Sequence, residues 1–242
     1  MARIRPADRV ASLIRSAIRV FCRKGFRRAQ MADIAREMGV SPGLLYNYVE
    51  SKEALFYLVV DQGFGQEPIE EPLELPIKTP APGAITRLIA ERFRTATAMP
   101  PLAAALRHPC ADDPRAELET VARALYAIAS RNAGATTMIE RSALDLPDLA
   151  ELYYRRMRAS IVDRLARLIE SRADAGQYRR VPHPAVAARL IIETITWFAR
   201  NRLGDPASES ITDRAAEETV TDFIVNSLVP ADRPRPRRTR AR

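Results

Sequence analysis

The sequence predicts an all-α protein with about nine to ten helices, and three observations support this fold class. Apolar residues recur at i, i+3 and i+4 along nearly the whole chain, which is the spacing of amphipathic helices. The sequence shows no convincing strand-like alternation and no Asn-Gly turn signal. Proline and glycine divide the apolar stripes into segments of helical length. These breaks predict an N-terminal helical domain over residues 1–62, a Pro/Gly-rich linker over 63–83, a helical domain over 84–230 and a disordered Arg/Pro-rich tail over 231–242.

The N-terminal domain begins with a helix whose apolar stripe is followed by Gly25, at a place where glycine commonly ends a helix. A second, shorter helix is predicted to end at Gly39. Ser41 offers an N-cap oxygen and Pro42 takes the favoured first helical position, so a third helix opens three residues after the second ends. Ser51 is predicted to cap a fourth helix.

Two short helices joined by a glycine-containing turn are typical of a helix-turn-helix, whose second helix reads the major groove with its N-terminal residues. Gly43 has no side chain and lets DNA approach closely, while the hydroxyls of Tyr46 and Tyr48 can donate to phosphates. Asn47 can pair with a base edge, and Lys52 adds a positive charge beside the free amides that open the fourth helix. Tyrosines at helical spacing are also common in protein cores, so the spacing alone leaves core packing open.

The identities of the residues in this region are stronger evidence for its function than their helical spacing. An Ile-Ala pair (34–35), a Gly-Val-Ser turn (39–41), a Leu-Tyr pair (45–46) and a Lys-Glu-x-Leu start (52–55) follow Phe21 and Gly25-Phe26. In order and spacing, residues 8–60 resemble the DNA-binding domain of the TetR/AcrR family of regulators. The resemblance implies a three-helix head that binds a palindromic operator as part of a dimer. The implied DNA-contact residues are Gln30, Ser41, Pro42, Gly43, Leu44, Tyr46, Asn47, Tyr48 and Lys52.

Three positions depart from the family pattern. Ala29 and Gln30 stand where a Thr/Ser pair is usual, so we expect a weaker cap on the second helix, although Gln30 can still reach a phosphate. Tyr48 and Val49 stand where the family frequently has histidine and usually has phenylalanine. We expect these changes to alter the choice of operator more than the fold.

The C-terminal region resembles the family only in its layout, which implies a regulatory domain with an effector pocket and a dimer interface on its last helices. Broad apolar surfaces on the helices predicted at 184–203 and 211–229 also indicate that these helices are covered on two sides. The dimer-interface residues we expect are Leu165, Leu190, Ile191, Ile195, Phe198, Val220, Phe223 and Ile224. The effector-lining residues, which suggest an apolar small molecule, are Phe93, Tyr126, Asn132, Met138, Tyr153 and Trp197. Packing inside the domain's own core is the alternative for every residue in both lists.

The charge is concentrated at the two ends of the chain. The 242 residues carry 38 Lys/Arg and 30 Asp/Glu, a formal net charge of +8. Residues 1–62 contain 11 basic and six acidic residues, and residues 231–242 contain six basic residues and one acidic residue. The section between them is nearly neutral. This distribution favours contact with a polyanion such as double-stranded DNA at one end of the protein.

Other functions find little support in the sequence. Cys22 and Cys110 suggest no disulfide framework, and we expect no signal peptide, no membrane span and a cytoplasmic location. His108 and His183 both border prolines, and neither lies in a spacing typical of a metal site or a nucleophile motif. We therefore expect no catalytic residue, no metal and no cofactor. A helical scaffold or carrier that has lost DNA binding remains an alternative, as does an enzyme that uses one of these histidines.

Overall fold

A computed structural model describes residues 6–62, 74–96 and 98–230. Its α-helices, in chain order, are α1 (Pro6–Arg28), α2 (Met31–Met38), α3 (Pro42–Leu45), α4 (Lys52–Gln62), α5 (Ala84–Ala96), α6 (Pro100–Ala105), α7 (Pro114–Arg131), α8 (Ala133–Ala143), α9 (Pro147–Ala150), α10 (Ala159–Asp174), α11 (Pro184–Ala199) and α12 (Asp213–Leu228). A π-helical stretch, Glu151–Arg158, joins α9 to α10, and short 3-10 helices, Asn201–Gly204 and Pro206–Ser208, follow α11. Within these residues β pairing is limited to one isolated bridge. The predicted all-α class is confirmed.

The helices form two compact units whose boundaries differ from the predicted ones. The first unit lies within Met1–Thr97 and Asn132–Ser160 and combines α1–α5 with α8 and α9. The second lies within Ala98–Arg131 and Ile161–Arg242 and holds α6, α7, α11, α12 and most of α10. The predicted domain over 84–230 thus contributes helices to both units, and its α8 packs on α1 in the first unit. The predicted tail, together with residues 63–73 of the predicted linker, lies outside the described residues.

Helix α1 lies at the centre of the first unit, where α2, α4 and α8 cover its apolar stripe. Leu13 and Phe21 on this stripe have no exposed surface. The Phe21 ring meets the Phe56 ring edge to face with centroids 5.1 Å apart, and Phe56 meets Phe26 in the same manner at 5.0 Å. Such aromatic pairs contribute about 0.5–1.5 kcal/mol beyond the burial of their surface. This cluster joins the end of α1 to α4.

The backbone at Gly25 is not helical, so it separates the main part of α1 from a short helical stretch that continues to Arg28. The φ of 73° and ψ of 172° at Gly25 lie in a region that is essentially restricted to glycine. A Cβ atom at this position would lie 2.7 Å from the carbonyl oxygen of Arg141 in α8. The next backbone N–H, that of Phe26, donates to Ser142 Oγ at 3.2 Å. The glycine therefore lets the backbones of α1 and α8 come into direct contact.

The described part of the predicted linker, from Glu74 onward, is attached to the first unit. Its Ile77 N–H donates to the Tyr48 carbonyl at 2.8 Å, and the Glu50 N–H donates to the Ile77 carbonyl at 3.0 Å. Lys78 Nζ pairs with Glu50 Oε1 at 2.9 Å. Proline content does prevent a helix here, but backbone pairing with residues 48–50 makes this segment part of the packed unit rather than a free spacer.

A buried arginine organises the second unit. Arg172 on α10 has no exposed surface, and its Nε and Nη2 donate to the two carboxylate oxygens of Glu117 at 2.8 and 2.7 Å. Nη1 donates to the carbonyl of His108 at 2.9 Å, and Nη2 also donates to the carbonyl of Ala105 at 2.8 Å. Because a buried charge is costly unless it is fully paired, this arrangement fixes α10 to α7 and to the end of α6. None of the described helices is both long and apolar enough to cross a bilayer.

Candidate nucleic-acid interface

Helix α2, the turn at residues 39–41 and helix α3 form the predicted helix-turn-helix. Gly39 has a φ of 74° and a ψ of 32°, and its N–H donates to carbonyls of the last turn of α2. The N–H of Val40 donates to the Ala35 carbonyl at 3.0 Å, which completes the helix end. Pro42 then occupies the first position of α3. Ser41 does not cap α3 through its side chain as the sequence suggested, since its hydroxyl makes no capping hydrogen bond.

The inner faces of these helices are buried and the outer face of α3 is not. Ile34 and Ala35 on α2 and Leu45 on α3 are buried in the core of the first unit. Six predicted contact residues are exposed: Gln30, Ser41, Pro42, Gly43, Tyr46 and Asn47. The Tyr46 side chain is 50% exposed, and Leu44 is half-buried. Residues 42–47 thus offer a small exposed surface. It consists of the open backbone at Gly43, the phenol of Tyr46 and the side-chain amide of Asn47.

Tyr48 and Lys52 depart from their predicted roles. Tyr48 is 8% exposed and packs in the core, so its hydroxyl is not presented beside that of Tyr46. Lys52 is half-buried, and its Nζ donates to the carbonyls of Arg27 and Ala29 at 3.3 and 3.0 Å. The same ammonium group lies 4.6 Å from the centroid of the Phe26 ring. Lys52 therefore satisfies carbonyls at the end of α1 and joins them to α4 rather than standing free for a phosphate.

Asp33 stabilises the start of α2, where the usual Ser/Thr cap is missing. Its carboxylate accepts a hydrogen bond from the Gln30 backbone N–H at 3.0 Å and pairs with Lys24 Nζ at 2.8 Å. The Lys24 hydrogen bond, and next the Gln30 N–H, lower the pKa of Asp33. The start of α2 is consequently held by one half of a capping box, which leaves the Gln30 side chain exposed.

Glu37 connects α2 to α1 in a second charged cluster. It accepts from Arg23 Nη2 at 2.5 Å and from Arg19 Nε at 2.6 Å. The Arg23 hydrogen bond is the largest cause, and the Arg19 hydrogen bond the next, of a lowered pKa at Glu37. These pairs neutralise the acids of α2 and keep the two helices in a fixed relation.

Arg27 and Arg28, in the last turn of α1, were not among the predicted contact residues. Both are exposed, and they precede Gln30 by three and two residues. Arg28 Nε donates to the Lys24 carbonyl at 3.1 Å, which leaves its other guanidinium donors available to a ligand. The sequence signal that could have identified them is the pair of consecutive arginines shortly before the second helix. They join the group of residues that can meet phosphates.

The predicted effector residues divide between the two units. Phe93, Asn132, Met138 and Tyr153 belong to the first unit, and Tyr126 and Trp197 belong to the second. Met138 is fully buried, and Tyr153 donates its hydroxyl to Glu140 at 2.6 Å with its ring 6.2 Å from that of Phe93. Tyr126 is buried and donates to the carbonyl of Phe198 at 3.4 Å. These contacts favour the core-packing alternative for the buried members of the set.

The predicted dimer residues separate into buried and exposed groups. Five of them are buried in the core of their own unit, which corrects the prediction for Leu165, Ile191, Ile195, Val220 and Ile224. Phe198 is half-buried. Leu190 and Phe223 are 63% and 69% exposed, and Val186 and Trp197 on α11 are also exposed. Residues 186, 190 and 197 share one face of α11, so an apolar surface remains uncovered there.

Among the described residues, no three His, Cys, Asp or Glu side chains come together in a way that could hold an ion. Cys22 donates its thiol to the Gly134 carbonyl at 3.6 Å, and burial raises the pKa of this thiol. Cys22 is thus a packing residue between α1 and α8.

This chain is all-α, and its helix-turn-helix leaves the start of the second helix exposed. That architecture is typical of DNA-binding regulators. Residues 13–58 match the family model for bacterial regulatory proteins of the tetR family, and residues 111–226 match the tetracyclin repressor-like C-terminal domain. The chain belongs to the TetR family of transcriptional regulators. Members of this family act by binding DNA and are not enzymes.

Solved structures of the same fold extend over nearly the whole chain. One is a bacterial regulatory protein of the tetR family from Rhodococcus RHA1, with 17% identity, 95% of this chain and 100% of that chain covered, and a TM-score of 0.54. Another is a TetR-like regulator from Rhodococcus sp. RHA1, with 19% identity, 93% and 97% coverage and a TM-score of 0.51. A third is AibR in complex with isovaleryl coenzyme A and operator DNA, with 18% identity, 92% and 98% coverage and a TM-score of 0.51. No curated protein matches the chain.

Proposed function

We propose that this chain is a dimeric repressor that binds a palindromic operator and is released from it by a small molecule. The observation that carries the proposal is the exposed surface of residues 42–47, where Pro42 and Gly43 open α3 and Tyr46 and Asn47 directly follow it. Gly43 has no atom within 4 Å of where a Cβ would be, so a base edge or sugar can approach the backbone. Asn47 is the residue we expect to read a base, and Tyr46 is the residue we expect to bind a phosphate.

Phosphate contacts from the end of α1 complete the surface. Arg27, Arg28 and Gln30 are exposed on the chain segment that enters α2. Their donors supply affinity that does not depend on sequence, while the exposed residues of α3 and Asn47 just after it supply selectivity. A surface of this size reads few base pairs, and a second copy is needed for a specific operator.

The exposed apolar residues of α11 and α12 support a second copy of this chain as the partner. Val186, Leu190, Trp197 and Phe223 are each more than a third exposed, although they lie on helices whose other faces are buried. Leu190→Glu and Phe223→Glu should shift the protein from dimer to monomer in sedimentation velocity, because a buried unpaired carboxylate is strongly unfavourable. Leu144→Glu is the matched control, since Leu144 is 70% exposed in the first unit. An unchanged dimer in both variants would contradict this interface.

Selection of bound fragments from genomic DNA, followed by fluorescence anisotropy on the recovered sequence, tests DNA binding directly. Asn47→Ala should weaken specific binding by about 5- to 150-fold and relax the preference at one base pair in each half-site. Tyr46→Phe should weaken binding to all sequences alike, since it removes a phosphate contact. Asn201→Ala, which changes an exposed asparagine in the second unit, is the matched control. Failure to recover any specific fragment at any salt concentration would overturn the proposal.

The effector part of the proposal has a separate test. The neighbour AibR was solved with isovaleryl coenzyme A and operator DNA, so isovaleryl coenzyme A is a reasonable first probe for this chain. Repression is measured from a reporter gene placed behind the recovered operator, and release is measured by anisotropy as the probe is added. A repressor should lower reporter output, and an effector should raise the apparent Kd for the operator because it binds the free form preferentially. Higher reporter output on expression of the protein would identify an activator instead.

A further inference from the structure

The first unit contains a pocket of about 340 Å³ to which neither the DNA surface nor the predicted effector residues contribute. The end of α1, the start of α4, the segment before α5 and the turn into α9 enclose it. The residues on which the argument rests are Phe26, Glu53, Phe56, Pro80, Leu146 and Asp148. Ligand sites in proteins typically have volumes of about 300–1,000 Å³, so this pocket can take a small organic molecule.

The lining combines apolar walls with two carboxylates. Phe26 and Leu146 offer aromatic and aliphatic surface, the fully buried Phe56 ring lies behind them, and Pro80 adds a rigid apolar edge. Glu53 and Asp148 line the same pocket, and both side chains are exposed. Within the described part of the chain, neither carboxylate has a lysine or arginine partner, whereas Asp33, Glu37 and Glu50 in the same unit are all paired. Two acids without an ion-pair partner beside an apolar wall favour a ligand that is apolar and positively charged.

We propose that this pocket binds a hydrophobic organic cation, of the class of protonated arylalkyl amines. Its ammonium group pairs with Glu53 and Asp148, and its apolar part lies against Phe26, Pro80 and Leu146. Acyl coenzyme A is a different ligand class, because its phosphates would be repelled by the same two carboxylates. The site is therefore distinct in charge from one that would hold isovaleryl coenzyme A.

Occupation of the pocket has a route to the DNA surface, and this step rests on the proposed function. Glu53 follows Lys52, whose ammonium group holds the end of α1. Pro80 follows Thr79, whose N–H donates to Glu50 Oε2 at 2.9 Å just beyond α3. A bound cation contacts both connections to the helix-turn-helix and should change operator affinity by favouring one arrangement of them.

Isothermal titration of the full-length protein tests the site without DNA. The probes are 4-phenylbutylamine, which is a cation at pH 7, and the neutral and anionic analogues 4-phenylbutanol and 4-phenylbutyrate. We expect saturable binding of the amine, weaker binding of the alcohol and none of the anion. Glu53→Gln and Asp148→Asn should each weaken amine binding by about fivefold, the strength of one solvent-exposed ion pair. Asp145→Asn is the matched control, because it removes the same charge three residues from Asp148 and outside the lining.

A blocking variant separates the pocket from nonspecific binding to an acidic surface. Ala81 is an exposed lining residue, so Ala81→Trp should fill the pocket and abolish binding while leaving the thermal midpoint unchanged. Equal binding of amine, alcohol and anion, or amine binding that survives Ala81→Trp, would overturn the proposal, as would absence of saturable amine binding. Anisotropy with operator and saturating amine tests the connection to DNA. If no operator is recovered, the proposed function fails while the titration still decides the existence of the site.

Discussion

Substitution of Gly25 by alanine tests the contact between α1 and α8. Two separate costs arise at this position. The backbone conformation, with φ at 73° and ψ at 172°, costs a residue with a Cβ about 1–3 kcal/mol. The new methyl group would also lie 2.7 Å from the Arg141 carbonyl oxygen, a backbone atom that can yield only if α8 moves. Overpacking of this kind costs about 1–3 kcal/mol.

The combined destabilisation for Gly25→Ala is about 2–6 kcal/mol, which corresponds to a fall in Tm of roughly 4–24 °C for a chain of this length. Thermal unfolding followed by circular dichroism, at one fixed protein concentration, measures it. Gly39→Ala is the informative comparison, because Gly39 has a φ of 74° but no atom within 4 Å of the position of a Cβ. It should cost about 1–2 kcal/mol from the left-handed conformation alone.

Gly204→Ala serves as the neutral control, since a Cβ there meets nothing within 4 Å and no positive φ is present. The expected order of Tm loss is Gly25→Ala, then Gly39→Ala, then Gly204→Ala. A Gly25→Ala protein that melts no lower than the Gly39→Ala protein would refute the close approach of α8 as a source of cost.

Three further predictions concern charged side chains. Lys52→Met should lower Tm as well as DNA affinity because it leaves the carbonyls of Arg27 and Ala29 unsatisfied, whereas loss of a simple phosphate contact would reduce the salt slope by about one and spare Tm. Arg172→Met should destabilise the second unit by about 3–5 kcal/mol in urea unfolding, and adding Glu117→Gln should recover part of that loss, because an unpaired buried carboxylate is the main cost. Acidification should destabilise the helix-turn-helix. The lowered pKa values of Asp33 and Glu37 mean that their contribution is present above the ordinary pKa of about 4 and is lost as the pH falls through the lower folded-state values. Tm measured from pH 6 to pH 3 should therefore fall less steeply in the Asp33→Asn, Glu37→Gln double variant.

Local signals made the helix-turn-helix predictable from the sequence. Gly39 has the left-handed conformation that a helix-ending glycine adopts, and Pro42 opens α3. Ser51 Oγ accepts from the Ala54 N–H at 3.1 Å, which confirms the predicted cap of α4. Each of these features depends on residues within one turn of helix, so their identity and spacing suffice to place them.

The direction of individual side chains was not predictable in the same way. Tyr46 and Tyr48 have the same chemistry and differ by two positions, yet one is 50% exposed and the other 8%. The difference arises because α3 ends at Leu45 and the chain then pairs with Ile77. That pairing joins residues far apart in the sequence, and no local pattern encodes it. The same holds for Lys52, whose partners belong to the end of α1.

Apolar periodicity predicted that α11 and α12 are covered on two sides. It did not predict which side packs against the protein's own core. Leu190 and Ile191 are adjacent apolar residues on α11, and only Ile191 is buried in its own unit. A helix with apolar residues around most of its circumference gives no indication of which face meets its own core. Only the positions of the neighbouring helices distinguish an apolar residue in the core from an apolar residue that is exposed on the surface.

The support of α3 explains why the segment before α5 matters for DNA recognition. A helix of four residues is too short to be stable alone, so the orientation of Tyr46 and Asn47 depends on what holds its two ends. The turn at Gly39 holds one end, and the pairing of residues 48–50 with Ile77 holds the other. A change in residues 74–83 therefore reaches the DNA surface through two backbone hydrogen bonds, without any contact between that segment and the operator. The same segment lines the proposed cation pocket, so a ligand bound there would act on the stretch of backbone that supports the proposed DNA surface.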